Sequence, residues 1–148
     1  MKRDMDLVRE ILRRTEDMPF WKRPHLAEFG ALETCRDSNG TLDLAKYLGL
    51  EGYTSEQISF HVKIMAQAGL LEAAEYSANT ELKEYAGDVA WVPIELTWWG
   101  CEFLEAVREE SRWDKVKEVM AAAGGFVFEL AKAVALELMR EQIHLLRS

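Results

Sequence analysis

Cysteine, histidine and proline are scarce in this 148-residue chain, with two, three and three residues respectively. Cys35 and Cys101 lie far apart and neither belongs to a Cys-x-x-Cys pair, which argues against a zinc framework or a dithiol redox motif. With only His25, His61 and His144 to add, a clustered transition-metal site lacks ligands. Long apolar runs are missing too: no uncharged stretch approaches the roughly 20 residues that span a bilayer. Met1-Lys2-Arg3-Asp4-Met5-Asp6 places charge where a signal peptide has its apolar core. A cytoplasmic protein with reduced thiols and no membrane span is therefore expected. Catalytic signatures are equally sparse. There is no Gly-x-Ser-x-Gly, no Cys/His arrangement with local support and no glycine-rich phosphate loop, so neither an enzyme nor a bound cofactor is expected.

What is present is charge, unevenly spread. The net charge is −8. Residues 1–24 nevertheless hold seven Lys/Arg against five Asp/Glu, whereas residues 72–90 hold five acids against the single Lys83. A polyanion would be attracted to the first stretch and repelled by the second. The length suits one domain, able to bury about two thirds of its unfolded surface without staples.

Periodicity supplies the elements. From Asp4 as N-cap, Leu7, Val8, Ile11 and Leu12 recur on one face of a helix over 4–17, with Arg9, Arg13 and Arg14 elsewhere. Pro19, Pro24, Gly30 and Asp37-Ser38-Asn39-Gly40 bracket a short stretch, His25 to Cys35, suited to a helical insertion. Thr41 to Leu50 fits a helix started near Thr41 or Asp43 and ended by Gly49, or a short strand. Gly52-Tyr53-Thr54-Ser55 leads into an N-cap, and Ile58, Val62, Met65 and Gly69 then line a helix over 55–69, with His61 and Ala68 beside them. Its opposite face carries Glu56, Ser59, Phe60, Lys63 and Gln67.

Residues 70–76 and 91–97 pattern as the strands of a hairpin whose polar tip contains Glu81, Glu84 and Asp88. Pro93 restricts its strand to an edge or bulge position. Thr97 then caps a helix over 98–110 that buries Phe103, Leu104 and Val107. Trp113, Val116, Val119 and Met120 face inward on a helix over 112–123, which ends at Gly124-Gly125. Over 126–146, Phe126, Leu130, Val134 and Leu138 repeat at i+4, flanked by Val127, Ala131, Ala135 and Met139. That apolar sector is wider than one protomer's surface helix requires, and a homodimer through Leu130 and Val134 is expected.

The succession of a helix ending Ala68-Gly69-Leu70-Leu71, a hairpin, and Leu96-Thr97-Trp98-Trp99-Gly100 resembles the winged helix-turn-helix domains of bacterial regulators. Ser59 to Leu71 is similar to the recognition helix and wing entry of the arsenic-repressor and multiple-antibiotic-resistance-repressor types. A wider resemblance rests on Met1 to Leu7, Glu51-Gly52-Tyr53-Thr54, the His61 helix, Leu96-Thr97-Trp98-x-Gly100-x-x-Phe103-Leu104, Trp113-x-Lys115-x-Lys117 and Ala123-Gly124-Gly125. These look like the phage and prophage family designated domain of unknown function 2513, which brings no established activity or ligand. The expected architecture is mainly α with a small β-hairpin: a winged-helix-like domain over 1–110 and a helical extension over 111–148 in the same compact unit.

Three functions follow from that architecture. The first is DNA binding by a phage or prophage regulator, with Arg13, Arg14, Lys22, Arg23 and Lys63 on phosphates and Ser59 and Gln67 toward base edges of double-stranded DNA. The second is protein binding through Phe60, on a host or phage partner. Its support is that the recognition-like helix offers only Lys63 as a cation and is followed by an acidic tip, while the order of elements favours the first. An enzyme is the third. His61 beside Val62 and Met65 reads as a packing residue. Asp4, Asp6 and Glu10 read as carboxylates at a helix start, not as metal ligands. Trp91, Trp98, Trp99 and Trp113 read as core aromatics.

Overall fold

The computed structural model describes residues 2–19, 35, 42–77, 89–125 and 127–147. Leu7, Val8, Ile11 and Leu12 are wholly buried on α1 (Met5–Asp17), as their spacing requires. Asp4 is its N-cap, the carboxylate accepting from the Leu7 amide at 3.1 Å. Arg9, placed by periodicity off the apolar stripe, is instead buried. Several elements pack on α1, so burial extends past the stripe that its own sequence displays.

The segment that periodicity left between helix and strand is a short helix, α2 (Leu44–Leu48), preceded by an isolated β-bridge at Leu42. Asp43 caps its start, and Gly49 ends it at φ 69°, a left-handed conformation that suits glycine. Tyr47 is buried on α2, and its hydroxyl donates to Met18 Sδ at 3.4 Å. Burial, and secondarily Cys35, push the Tyr47 phenol up to about 12.

Helix α3 (Ser55–Gln67) buries Ile58, His61, Val62 and Met65. Its C-terminus closes as a Schellman motif: Gly69, at φ 79°, donates to Ala66, and Leu70 donates to Met65. The chain passes straight into β1 (Leu71–Ser77), which pairs antiparallel with β2 (Val89–Leu96). Register runs from Leu71↔Leu96 to Ser77↔Val89 and shifts between Glu72 and Ala73, where Ala73 faces Pro93. The proline thus sits at a bulge, where its missing N–H is tolerated.

The return from β2 into α4 (Trp98–Val107) is locked onto the end of α3. The Thr97 amide donates to the Leu70 carbonyl at 3.2 Å, the Thr97 hydroxyl donates to the Gly69 carbonyl, and the Gly100 amide donates to Thr97 Oγ1 at 3.0 Å. A Cβ on Gly100 would lie 1.8 Å from the Leu70 carbonyl oxygen. The Leu-Thr-x-x-Gly element is therefore a backbone contact that only glycine permits. Trp98, expected in the core, is 82 % exposed, because the lock points it away while Phe103, Leu104 and Val107 turn inward.

The chain divides into two units, Met1–Gly100 and Cys101–Ser148, with α4 beginning in the first. In the second, α5 (Glu110–Ala122) and α6 (Phe128–Arg147) pack against each other across a Schellman turn at Gly124, φ 90°. Arg112 donates through Nε to the Ala106 carbonyl at 2.6 Å and through Nη2 to that of Glu105 at 3.4 Å, satisfying carbonyls at the end of α4. Its Nη1 reaches Gln142 at 3.3 Å. On α5, Trp113, Val116 and Met120 are buried, but Val119 is 40 % exposed and does not join the inward face. On α6 the fully buried residues are Ala131 and Ala135, flanking the Leu130–Val134 row instead of lying on it. Small side chains let the two backbones approach closely, which turns the bulkier row to the flank. Phe126 and, Cys35 excepted, the His25 to Cys35 insertion lie outside the described residues. Mainly α architecture with one small hairpin is what the chain adopts.

Two stability tests follow. Gly100→Ala must displace the α3–β1 junction, and chemical denaturation should show a loss at or beyond the ~3 kcal/mol upper end of overpacking effects. A loss within experimental error would contradict the lock. The Tyr47 phenol ionises at 10.0 when unexposed to these effects and higher in the fold, so its contribution is complete below pH 10 and declines as pH rises toward 12. Urea denaturation on both sides of that window should show the wild type losing more stability than Tyr47→Phe.

Candidate nucleic-acid interface

Helices α2 and α3 are consecutive, pack on each other and are joined by residues 49–54. Both starts are capped. The Asp43 carboxylate accepts from the Lys46 amide at 3.1 Å. Thr54 and Gln57 form a reciprocal capping box, the Thr54 amide donating to Gln57 Oε1 at 2.9 Å and the Gln57 amide to Thr54 Oγ1 at 3.1 Å. Ser55 ties the pair together: its hydroxyl accepts from the Leu44 amide at 3.0 Å and donates to the Leu42 carbonyl at 3.1 Å.

The inner face of α3 is anchored by His61, which is 1 % exposed. Its Nε2 accepts from the Asp4 amide at 2.8 Å, and Nδ1 lies 2.7 Å from the Gln57 carbonyl. Those partners suit a neutral ring with the proton on Nδ1, so both nitrogens are occupied by backbone groups. The ring is more deeply buried than a half-buried packing residue. It holds the start of α1 against α3.

On the outer face Glu56, Lys63 and Gln67 are exposed, and Ser59 and Phe60 are half-buried. Ser59 Oγ accepts from the Trp91 amide of β2 at 2.9 Å. Lys63 Nζ stands 6.0 Å from the centroid of the Trp91 ring, a cation–π distance. Phe60 meets the His61 ring edge to face, centroids 5.4 Å apart. The structure thus brings Ser59, Lys63 and Trp91 together at the junction of helix and hairpin, with Gln67 one turn further along α3.

The other candidate cations are dispersed. Arg13 pairs with Glu10 at 3.2 Å. Arg14 is exposed, with a guanidinium nitrogen 3.8 Å from where a Cβ on Gly49, the C-cap of α2, would stand. Lys22, Arg23 and the acidic tip residues Glu81, Glu84 and Asp88 lie outside the described residues. Lys46, exposed on α2, was not anticipated because its segment showed no single periodicity. Acid is close by: burial and then Asp4, Asp6 and Glu10 push the Tyr53 phenol up in the turn before α3. Glu72 also faces Glu95 across the hairpin. Leu130, at 46 % exposure, and half-buried Val134 belong to the second unit.

Among the described residues, no group of three or more His, Cys, Asp or Glu is placed to hold a metal ion, and no helix is long and apolar enough to cross a membrane. The chain is 32 % identical over 117 residues to an uncharacterized protein of Haemophilus influenzae strain Rd, an alignment covering 79 % of this chain and 76 % of that one. No solved structure matches it. The family model described as hypothetical protein DUF2513 matches residues 2–126, which runs from α1 through the Schellman turn after α5. That span takes in the α2–α3 pair, the hairpin and the Thr97–Gly100 lock, and the chain belongs to this family.

Proposed function

We propose that the first unit is a winged helix-turn-helix that binds double-stranded DNA, acting as a phage or prophage regulator. The observation that carries this reading is the α2–α3 pair, capped at both starts and clamped by Ser55, with Lys63 and Gln67 exposed on α3 and a hairpin following at once. A helix held this way can enter a major groove while the hairpin tip lies alongside. Ser59 is half-buried and its Oγ already accepts from the Trp91 amide, whereas Gln67 is exposed, so Gln67 is the better residue for base edges. Lys63, Lys46 and Arg14 then serve phosphates, with Arg13 joining if it leaves Glu10.

Because the whole chain carries −8, phosphate contact must be local and strongly salt-dependent. Gel shifts against genomic fragments at low and moderate salt should show binding that weakens steeply as salt rises. Lys63→Glu should abolish it, and Lys63→Gln should flatten the slope of log affinity against log salt by about 0.9. Gln67→Ala should retain affinity and relax sequence preference. Absence of duplex binding by the wild type at low salt would refute the proposal.

A second reading, a phage accessory protein that docks on a host or phage protein, is favoured by Trp98. An 82 % exposed tryptophan is an anchor of the kind that dominates protein interfaces, and Phe60 adds a half-buried ring on α3. Trp98→Ala should change stability by less than ~0.5 kcal/mol, since the side chain is exposed. If the protein-binding reading holds, that variant loses partner capture from phage-infected extract, whereas an unchanged capture profile would remove Trp98 from the interface.

A further inference from the structure

At 100° per residue Glu56, Phe60, Lys63 and Gln67 fall within about 60° of one another on the outer face of α3. Glu56, Lys63 and Gln67 are exposed, and Lys63 and Gln67 lie in the second half of the helix. In the first half the other polar side chains are engaged. Ser55 is hydrogen-bonded to the backbone of Leu42 and Leu44, Gln57 closes the capping box with Thr54, and Ser59 accepts from the Trp91 amide. Phe60 is half-buried with its ring against His61. Glu56 stands apart from all of these. Three and four residues after it come Ser59 and Phe60, neither a cation, and among the described residues nothing hydrogen-bonds or ion-pairs with its carboxylate.

A recognition helix turns its N-terminal residues toward base edges. An ionised carboxylate only accepts hydrogen bonds, whereas in the major groove guanine offers the acceptors N7 and O6 and thymine the acceptor O4. Adenine sets the acceptor N7 beside its N6 donor, and cytosine offers the N4 donor alone. We infer that Glu56 is a specificity-determining residue of the first unit, admitting duplexes that carry a cytosine where it meets the groove. The inference rests on the DNA-binding reading proposed above. Any other base leaves the carboxylate desolvated and short of a donor among phosphates that repel it, so Glu56 acts by excluding wrong sequences. Glu56 and Gln67 are eleven residues apart, about 16 Å along the helix axis, which places the cytosine within about five base-pair steps of the base read by Gln67.

Selection by the full chain from a pool of random-sequence duplexes at low salt, followed by sequencing, tests this. The wild type should enrich a cytosine whose replacement weakens binding about tenfold. Glu56→Ala should lose the preference at that position alone, and Glu56→Gln should move it to adenine, whose N6 and N7 match a glutamine amide. Gln67→Ala should alter a different position and keep the cytosine. A carboxylate that merely repels phosphate gives another result: Glu56→Gln then strengthens binding to every duplex equally and leaves the selected sequence unchanged. That outcome would overturn the inference and leave DNA binding standing. A wild type that retains no duplex from the pool would overturn both.

Discussion

The contact between Gly100 and the Leu70 carbonyl governs the first unit. It sets the end of α3, the start of β1, the end of β2 and the start of α4 within one hydrogen-bonded knot, in which Thr97 serves as both donor and acceptor. The hairpin therefore leaves and returns at nearly the same point. With its base pinned at Leu71↔Leu96, the extra residue beside Pro93 must be absorbed as a bulge. A side chain at position 100 would need the space that the Leu70 peptide occupies, and packed backbone cannot yield it cheaply.

From that knot the character of the outer α3 surface follows. Ser59 and Lys63 both engage Trp91, one through a hydrogen bond and one through its ring, which couples helix and hairpin into a single surface. On the inner side His61 couples the helix to the Asp4 amide. The helix is thus held on both faces, and that rigidity favours recognition, since little ordering remains to be done on binding. Electrostatics work the other way. Carboxylates surround Tyr53 in the turn before α3 and Glu72 faces Glu95 on the hairpin, so a polyanion would have to be met by a small set of exposed cations.

The second unit is governed by residue size. Ala131 and Ala135 bring α6 close to α5, and Arg112 closes the end of α4 while reaching across to Gln142. Helix α6 begins just past the family-matched span of residues 2–126 and carries the apolar surface left over by this close packing.

Helix and hairpin positions were legible in the sequence because they depend on local chemistry. Asp4, Thr54, Thr97, Gly69 and Gly124 mark boundaries through hydrogen bonds and left-handed backbone available within a few residues, and the alternation of apolar spacing distinguishes helix from strand. The faces of α1 and α3 were likewise readable, since a stripe of four apolar residues has one plausible inside. Tertiary structure decided whatever depends on several neighbours at once. Arg9 is buried because elements crowd α1 from more than one side, and Trp98 is exposed because the Thr97–Gly100 lock orients it. Ser59 is tied up by an amide 32 residues away. Ala131 and Ala135 take the buried row because they are small enough for helix backbones to meet, a demand set by α5 that no periodicity within α6 records.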